Sequence, residues 1–159
     1  MKIPRREATR DLAALEVAMA EVFDEKLAEP LTPEDFARMP AERFIGARLR
    51  FVPTFRLLAL DHDVNPYVDA VRQERESRPP LRRKKSWIAV YRKEFKVWRL
   101  DLREGAHAAL STLLRGGSVG RAVAAAARTW KGKPAELPAQ IRQWFGEWAS
   151  EGFFAQVLK

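Results

Sequence analysis

The stretch Trp87 to Leu100, reading Trp-Ile-Ala-Val-Tyr-Arg-Lys-Glu-Phe-Lys-Val-Trp-Arg-Leu, constrains the fold more than any other part of the chain. Aromatic and β-branched residues crowd both arms, and the charged run Arg92, Lys93, Glu94 interrupts them in the middle, which predicts a β-hairpin. No Asn-Gly or Asp-Gly marks the bend, so a loop of three to five residues is expected rather than a tight two-residue turn. On the second arm, alternation places Phe95, Val97 and Arg99 on one face and Lys96, Trp98 and Leu100 on the other. One arm is left as an edge. Two strands alone are marginal in water, so the hairpin must rest on helices or recruit a third strand.

Both are expected to follow the hairpin: three helices bury its inner face, and the C-terminal tail or a partner chain adds the third strand. Ahead of the hairpin, Leu12, Leu15, Met19, Val22 and Phe23 recur at helical spacing and predict an amphipathic helix over residues 11–24, with Thr9 as its N-cap. Thr32 before Pro33-Glu34-Asp35 is the start signal of a second helix, which Pro40 ends, and residues 41–47 add one further turn. A strand is expected over Phe55 to Leu60, with Pro53 keeping the residues before it at a sheet edge or outside one. Asp61-His62-Asp63 reads as turn chemistry, and Pro66 starts a helix reaching Arg75. Residues 76–85, with Pro79-Pro80 and Arg82-Arg83-Lys84-Lys85, read as a flexible basic linker.

After the hairpin, Asp101 and Glu104 have the spacing of a capping box, and Leu110, Leu113 and Leu114 follow on one face up to Gly116-Gly117. Ser118 caps a second helix, and Ile141, Trp144, Phe145 and Trp148 mark a third. Gly152 ends it, and Phe153 to Leu158 alternate as a short strand. The predicted class is α+β: N-terminal helices, then a winged-helix-like lobe of hairpin, three helices and a final strand. Residues 1–159 form one domain in two lobes, a mainly helical lobe over 1–80 and a second over 86–159, joined by the 76–85 linker.

With 159 residues, 47% of them hydrophobic, the chain has enough material for one core and little for two. It has no cysteine, which excludes disulfides and thiolate metal sites and fits a reducing compartment. No apolar run approaches a membrane span of about 20 residues, and the first residues lack the apolar core of a secretory signal, so a cytoplasmic protein with no membrane partner is expected. The formal net charge of +8 has a single source: residues 75–99 hold ten Lys and Arg against Glu76 and Glu94, while the remaining 19 bases balance 19 acids. Such a local patch, with Arg82, Arg83, Lys84, Lys85, Arg92 and Lys93 at its centre, suits phosphates, an acidic peptide or an acidic protein, or simply keeps an edge strand in solution.

Two resemblances follow from these residues. Leu100-Asp101-Leu102-Arg103-Glu104, Leu110 and Leu113, Gly116-Gly117-Ser118-Val119, Trp144-Phe145 and Glu151-Gly152-Phe153-Phe154 resemble the small winged-helix domains that recognise leader peptides in ribosomal peptide maturation. More specifically, Asp11-Leu12-Ala13-Ala14-Leu15-Glu16 with Glu21-Val22-Phe23-Asp24 is similar to the opening of the C-terminal region of a family that carries a DNA-binding label. So are Pro53-Thr54-Phe55-Arg56-Leu57-Leu58, Val64, Val90-Tyr91-Arg92 and Trp98-Arg99-Leu100-Asp101 leading to Glu104. Members of that family act as partners of multinuclear iron-dependent oxygenases that modify cysteines of precursor peptides, as in methanobactin- and bufferin-type pathways. The resemblance implies a non-catalytic partner protein that binds a precursor's leader and presents it to such an oxygenase. The chain itself then needs no cofactor, the iron residing in the enzyme.

The binding mode implied is strand addition to the hairpin edge, with side chains entering a groove beside the third helix. The expected peptide-binding residues are Phe95, Lys96, Val97, Trp98 and Arg99 on the strand and Ile141, Trp144, Phe145 and Trp148 on the helix; the rival reading of that aromatic stripe is plain core. Asp11, Glu16 and Glu21 are candidates for docking the enzyme. Asp61-His62-Asp63 offers metal-type ligands, but adjacent residues do not converge on one ion, so no metal site is assigned. His107 has no nucleophile motif beside it. The alternative from another class is a winged-helix DNA-binding protein using the basic 75–99 patch, against which the third helix offers only Arg142 as a base-reading cation. A structural subunit without peptide binding is a third reading.

Overall fold

The computed structural model describes residues 6–158. In chain order these form α1 (Arg6–Asp24), α2 (Pro33–Ala37), α3 (Ala41–Gly46), β1 (Arg48–Phe51), β2 (Phe55–His62) and α4 (Asn65–Arg72). There follow β3 (Arg83–Lys93), β4 (Lys96–Leu102), α5 (Glu104–Leu114), α6 (Val119–Thr129), a 3₁₀ turn (Pro134–Glu136), α7 (Leu137–Ser150) and β5 (Phe154–Leu158). The class is α+β, as the sequence predicts.

Ile88, Ala89, Val90 and Tyr91 are consecutive and all buried. A strand apolar on both faces has to be covered on both, and β3 lies at the centre of an antiparallel sheet of order β2-β3-β4. On one face Ile88 and Val90, with Leu60 of β2, pack against Leu15 and Val22 of α1 and Val68 of α4. On the other, Ala89, Tyr91 and Phe55 meet Leu110 and Leu113 of α5 and Trp144 and Trp148 of α7. Gly105 sits where a Cβ would lie 3.1 Å from the Trp144 ring and 3.5 Å from the Ala126 carbonyl of α6, so the missing side chain lets the Trp144 ring rest on the first turn of α5. A second, two-stranded sheet pairs β1 with β5, and Phe51, Phe55, Phe153 and Phe154 stack between the two sheets at ring separations of 4.7 to 6.4 Å.

Local chemistry explains most element ends. Thr32 and Asp35 form a reciprocal capping box, the Asp35 carboxylate accepting from the Thr32 N–H at 2.8 Å. The Ser118 hydroxyl accepts from the Arg121 N–H at the start of α6, and Gly116 and Gly152 take positive φ after α5 and α7.

Several sequence expectations are corrected. The hairpin turn has two residues, not three to five: Lys93 pairs with Lys96, and Glu94 and Phe95 take φ +52° and +66°. The right-handed twist of the arms favours this turn even without glycine, at a cost of about 1 kcal/mol per left-handed residue. The third strand of the sheet is β2, while the C-terminal strand pairs with β1 instead. Arg83, Lys84 and Lys85 belong to β3 rather than to a flexible linker, with Arg83 opposite His62, and Asp61 and His62 lie in β2 rather than in a turn. Asp101 does not cap α5. The strand continues to Leu102, and Arg103 is the cap residue, with no side-chain bond. Thr9 lies inside α1, which starts at Arg6.

Ile88 and Leu110 stand in different cores on opposite faces of one sheet and are both fully buried. Ile88→Ala and Leu110→Ala are each expected to lower the unfolding free energy by about 2–5 kcal/mol, shifting a single urea transition seen alike by tryptophan fluorescence and circular dichroism. Separate transitions for the two variants would refute the shared-sheet account.

Candidate functional site

The two-residue turn fixes the ladder between β3 and β4. With Lys93 and Lys96 as a hydrogen-bonded pair, Lys96, Trp98, Leu100 and Leu102 bond inward to β3. The backbone N–H and C=O groups of Val97, Arg99 and Asp101 therefore point away from the sheet. Among the described residues β4 pairs with β3 alone, so this row of donors and acceptors is open. At the other edge of the sheet, the Asp61 N–H of β2 is taken by the Asp11 carboxylate at 2.9 Å.

Side chains on β4 divide between the faces. Val97 packs into the core under α1, and Arg99 is held by α4: its guanidinium donates to Asp69 Oδ1 at 2.5 Å and to the Asn65 side chain. Asn65 also donates to Asp101 Oδ1 at 3.0 Å. Leu100 and Leu102 pack into the opposite core, on the α5–α7 side. Val97 and Arg99 thus do not face α7, and Phe95 is not a strand residue at all; it stands at the turn, 85% exposed. The strand side chains on the α7 side are Trp98, Leu100 and Leu102, and the Trp98 indole N–H donates to the Lys93 carbonyl.

The four apolar residues of α7 also separate. Trp144 and Trp148 turn toward the end of β4 and, with Asp101, Leu102, Gln143 and Glu147, bound a polar cavity of about 230 Å³. Both are buried, and the Trp148 indole N–H has no acceptor among the described residues. Ile141 and Phe145 line the far side of the helix, in an apolar cleft of about 720 Å³ against α2 and α3. One groove cannot use all four. A third cleft, of about 680 Å³, opens where β4 leaves the sheet, between Lys84, Lys85 and Trp87 of β3, the first turn of α5, and Trp130 and Lys131.

Much of the positive charge is spent internally. Arg92 donates to the Phe23 carbonyl, Lys93 to Glu151 at 3.3 Å, and Arg99 to Asp69. Glu151 also accepts from the buried Tyr91 hydroxyl at 2.6 Å, and burial together with that bond raises the phenol well above its usual range. Arg82, Arg83, Lys84 and Lys85 remain exposed, as does Lys96. The acidic trio is dispersed in the same way. Asp11 accepts from His62 Nδ1 at 2.8 Å and Glu21 from Arg56 at 2.8 Å, while Glu16 stays exposed. The bond to Asp11 orients the His62 ring, and among the described residues no group of three or more His, Cys, Asp or Glu is placed to hold a metal.

Sequence reasoning missed Asn65 and Asp69, which fasten α4 to β4, and Trp130, which walls the third cleft. The only signal was Asn65-Pro66, which marks a helix start but says nothing of a partner strand. No protein-family model matches the chain, and no curated protein does either.

His107, half-buried on α5, is set for the neutral form: burial first, then the Arg115 charge, push its imidazole below the usual range against the opposing pull of Glu104. The unfolded chain then binds the proton more readily, so this contribution is complete above the unfolded value of about 6.5 and is lost as pH falls through the folded value. His107→Gln is expected to lose less stability than the wild type between about pH 7 and about pH 5. Urea titrations at each pH provide the check, and equal slopes for the two proteins would remove His107 from the account.

Proposed function

We propose that this chain is a non-catalytic partner protein that takes the leader of a precursor peptide as an added strand on β4 and presents it to a multinuclear iron-dependent oxygenase. The observation that carries the reading is the open edge of β4, where Val97, Arg99 and Asp101 turn their backbone groups outward with no partner among the described residues. Strand addition gives affinity through the main chain and selectivity through alternate side chains. Chemistry belongs to the partner's iron; the task of this chain is to hold and orient the peptide. The order hairpin, three helices, strand supports a winged-helix-type lobe.

The family resemblance supports the same reading through the scaffold. Its segments meet one another at Glu21 with Arg56, Phe23 with Arg92, and the Thr54 carbonyl with the Arg92 N–H, and Asp11 meets His62, two residues before Val64. The contacts of Asp11, Glu21 and Phe23 lock α1 onto β2 and β3, and the bond from Arg92 to Thr54 joins β3 to the start of β2, which together make the framework behind the edge. The iron enzyme as partner rests on that resemblance alone.

Val97→Pro removes one outward N–H while leaving the bonds to β3 in place, as proline is tolerated at a sheet edge. The proposal expects genes for a precursor and an oxygenase beside this one; the leader of that precursor should bind the wild type at micromolar strength and this variant about tenfold more weakly or not at all, by fluorescence anisotropy, with unchanged circular dichroism. Copurification with the neighbouring enzyme tests the partner. If no peptide binds and duplex DNA does, with an affinity that falls steeply as salt rises, the exposed Arg82 to Lys85 segment is a nucleic-acid contact and the proposal is wrong.

A further inference from the structure

Phe95 is placed against two ordinary preferences. It takes a left-handed backbone conformation that bulky side chains rarely adopt, and its ring is 85% exposed. Beside it Phe23, at the end of α1, is 62% exposed. The two rings, with Met19 and Val97, wall a cavity of about 500 Å³ between α1 and the hairpin turn. Glu16, Asp24, Arg72 and Lys96 also line it, two acids against two bases, so the apolar walls decide what it prefers.

The cavity opens at the first outward-facing position of β4. A strand laid on that edge places alternate side chains on the α1 face of the sheet, and the cavity receives the one beside Val97. The next position on this face is occupied, because Arg99 is tied to Asp69 and Asn65. At the other end of the edge stand the exposed Lys84 and Lys85, above a cleft at the start of α5 that Asp63, Asp101, Glu104 and Glu136 also line; neither lysine is ion-paired with any of these acids among the described residues, which leaves both ammonium groups available. Arg92 lies opposite Val97 and Trp87 opposite Leu102, so Lys85 is seven residues along β3 from the level of the cavity, about 24 Å at roughly 3.4 Å per residue.

We infer that the cavity between Phe23 and Phe95 is an anchor subsite for one large apolar side chain of an extended peptide, and that Lys84 and Lys85 take acidic residues of that same peptide about seven positions away. The inference rests on the strand-addition reading and adds a spacing rule to it. It also accounts for an exposed aromatic ring at a turn position where glycine or asparagine is preferred.

Phage selection of random twelve-residue peptides against the full chain reads the rule directly. The wild type is expected to enrich peptides with an aromatic or large aliphatic residue about seven positions from an acidic pair. The same selection on Phe95→Gly should lose the apolar preference, and on the double variant Lys84→Glu, Lys85→Glu the acidic one. A synthetic peptide from the wild-type selection is expected to bind Phe95→Gly and Phe23→Ser at least tenfold more weakly. The melting temperature of Phe95→Gly should be unchanged or higher, since glycine suits the turn; Phe23→Ser is a second route to the same site. If Val97→Pro abolishes enrichment but the wild-type peptides carry no spaced apolar residue, or bind Phe95→Gly equally well, the edge stands and the anchor is refuted. Absence of any enrichment on the wild type overturns both. A wild-type dimer that Phe95→Gly dissolves, with peptide affinity unchanged, assigns the patch to a second copy of this chain and overturns the anchor.

Discussion

β3 is the element on which the rest depends, because Ile88 to Tyr91 present apolar side chains alternately to both faces. Helices on one side alone would leave Ile88 and Val90, or Ala89 and Tyr91, in water, at about 25 cal/mol for each Å² of apolar surface. The chain meets this demand with two unlike covers, α1 and α4 on one face and α5 to α7 on the other. The N-terminal segment is therefore a structural layer, bound to the same strand as the C-terminal helices. With both faces covered, another chain can add to this sheet at an edge, and among the described residues β4 pairs with β3 alone.

The same demand shows why some of the fold was legible in the sequence and some was not. Signals confined to a few neighbouring residues read well: the α1 stripe, the Thr32 and Ser118 caps, the glycine after α7, the two hairpin arms. Features set by distant partners did not. Nothing local in Phe55 to His62 tells which strand it joins, and nothing in Phe154 to Leu158 says that its mate is β1. The hairpin turn failed for another reason. Strand twist outweighed the residue preferences of Glu94 and Phe95, so the turn signal was missing although the turn was present. Placing Phe95 in the turn moves the strand start to Lys96 and removes Phe95 from the strand face expected of it.

Within the candidate site, position was easier to read than orientation. The edge itself, and Trp144 and Trp148 beside the end of β4, follow from the order of elements. What the alternation of β4 leaves open is which helical layer each face meets. Val97 and Arg99 meet α1 and α4, and the two α7 stripes diverge because i and i+4 positions diverge from i+3 and i+7 once a helix sits on a sheet. Asp69 cannot be recognised as the partner of Arg99 before α4 is known to cross beneath β4.

Charge shows the same limit and what the fold does about it. A net excess confined to residues 75–99 invites a reading as one continuous basic face, yet the fold ties Arg92, Lys93 and Arg99 to the Phe23 carbonyl, Glu151 and Asp69. Those three cations fasten α1, α4 and the end of α7 to the hairpin. The charge that remains exposed lies chiefly at Arg82 to Lys85, where β3 begins. Lys96 stands at the turn and lines the α1 cavity together with Glu16 and Asp24. The open edge therefore runs from an end walled by Phe23 and Phe95 to one where the exposed Arg82 to Lys85 run stands above a cleft of mixed charge. Charged residues along β4 discourage pairing with another copy of the same strand; under the strand addition proposed above, the asymmetry between the two ends would distinguish one direction and register of the added peptide from the others. On that proposal, selectivity for one class of chain would come from the unlike ends of the edge, which unpaired amides alone would not achieve.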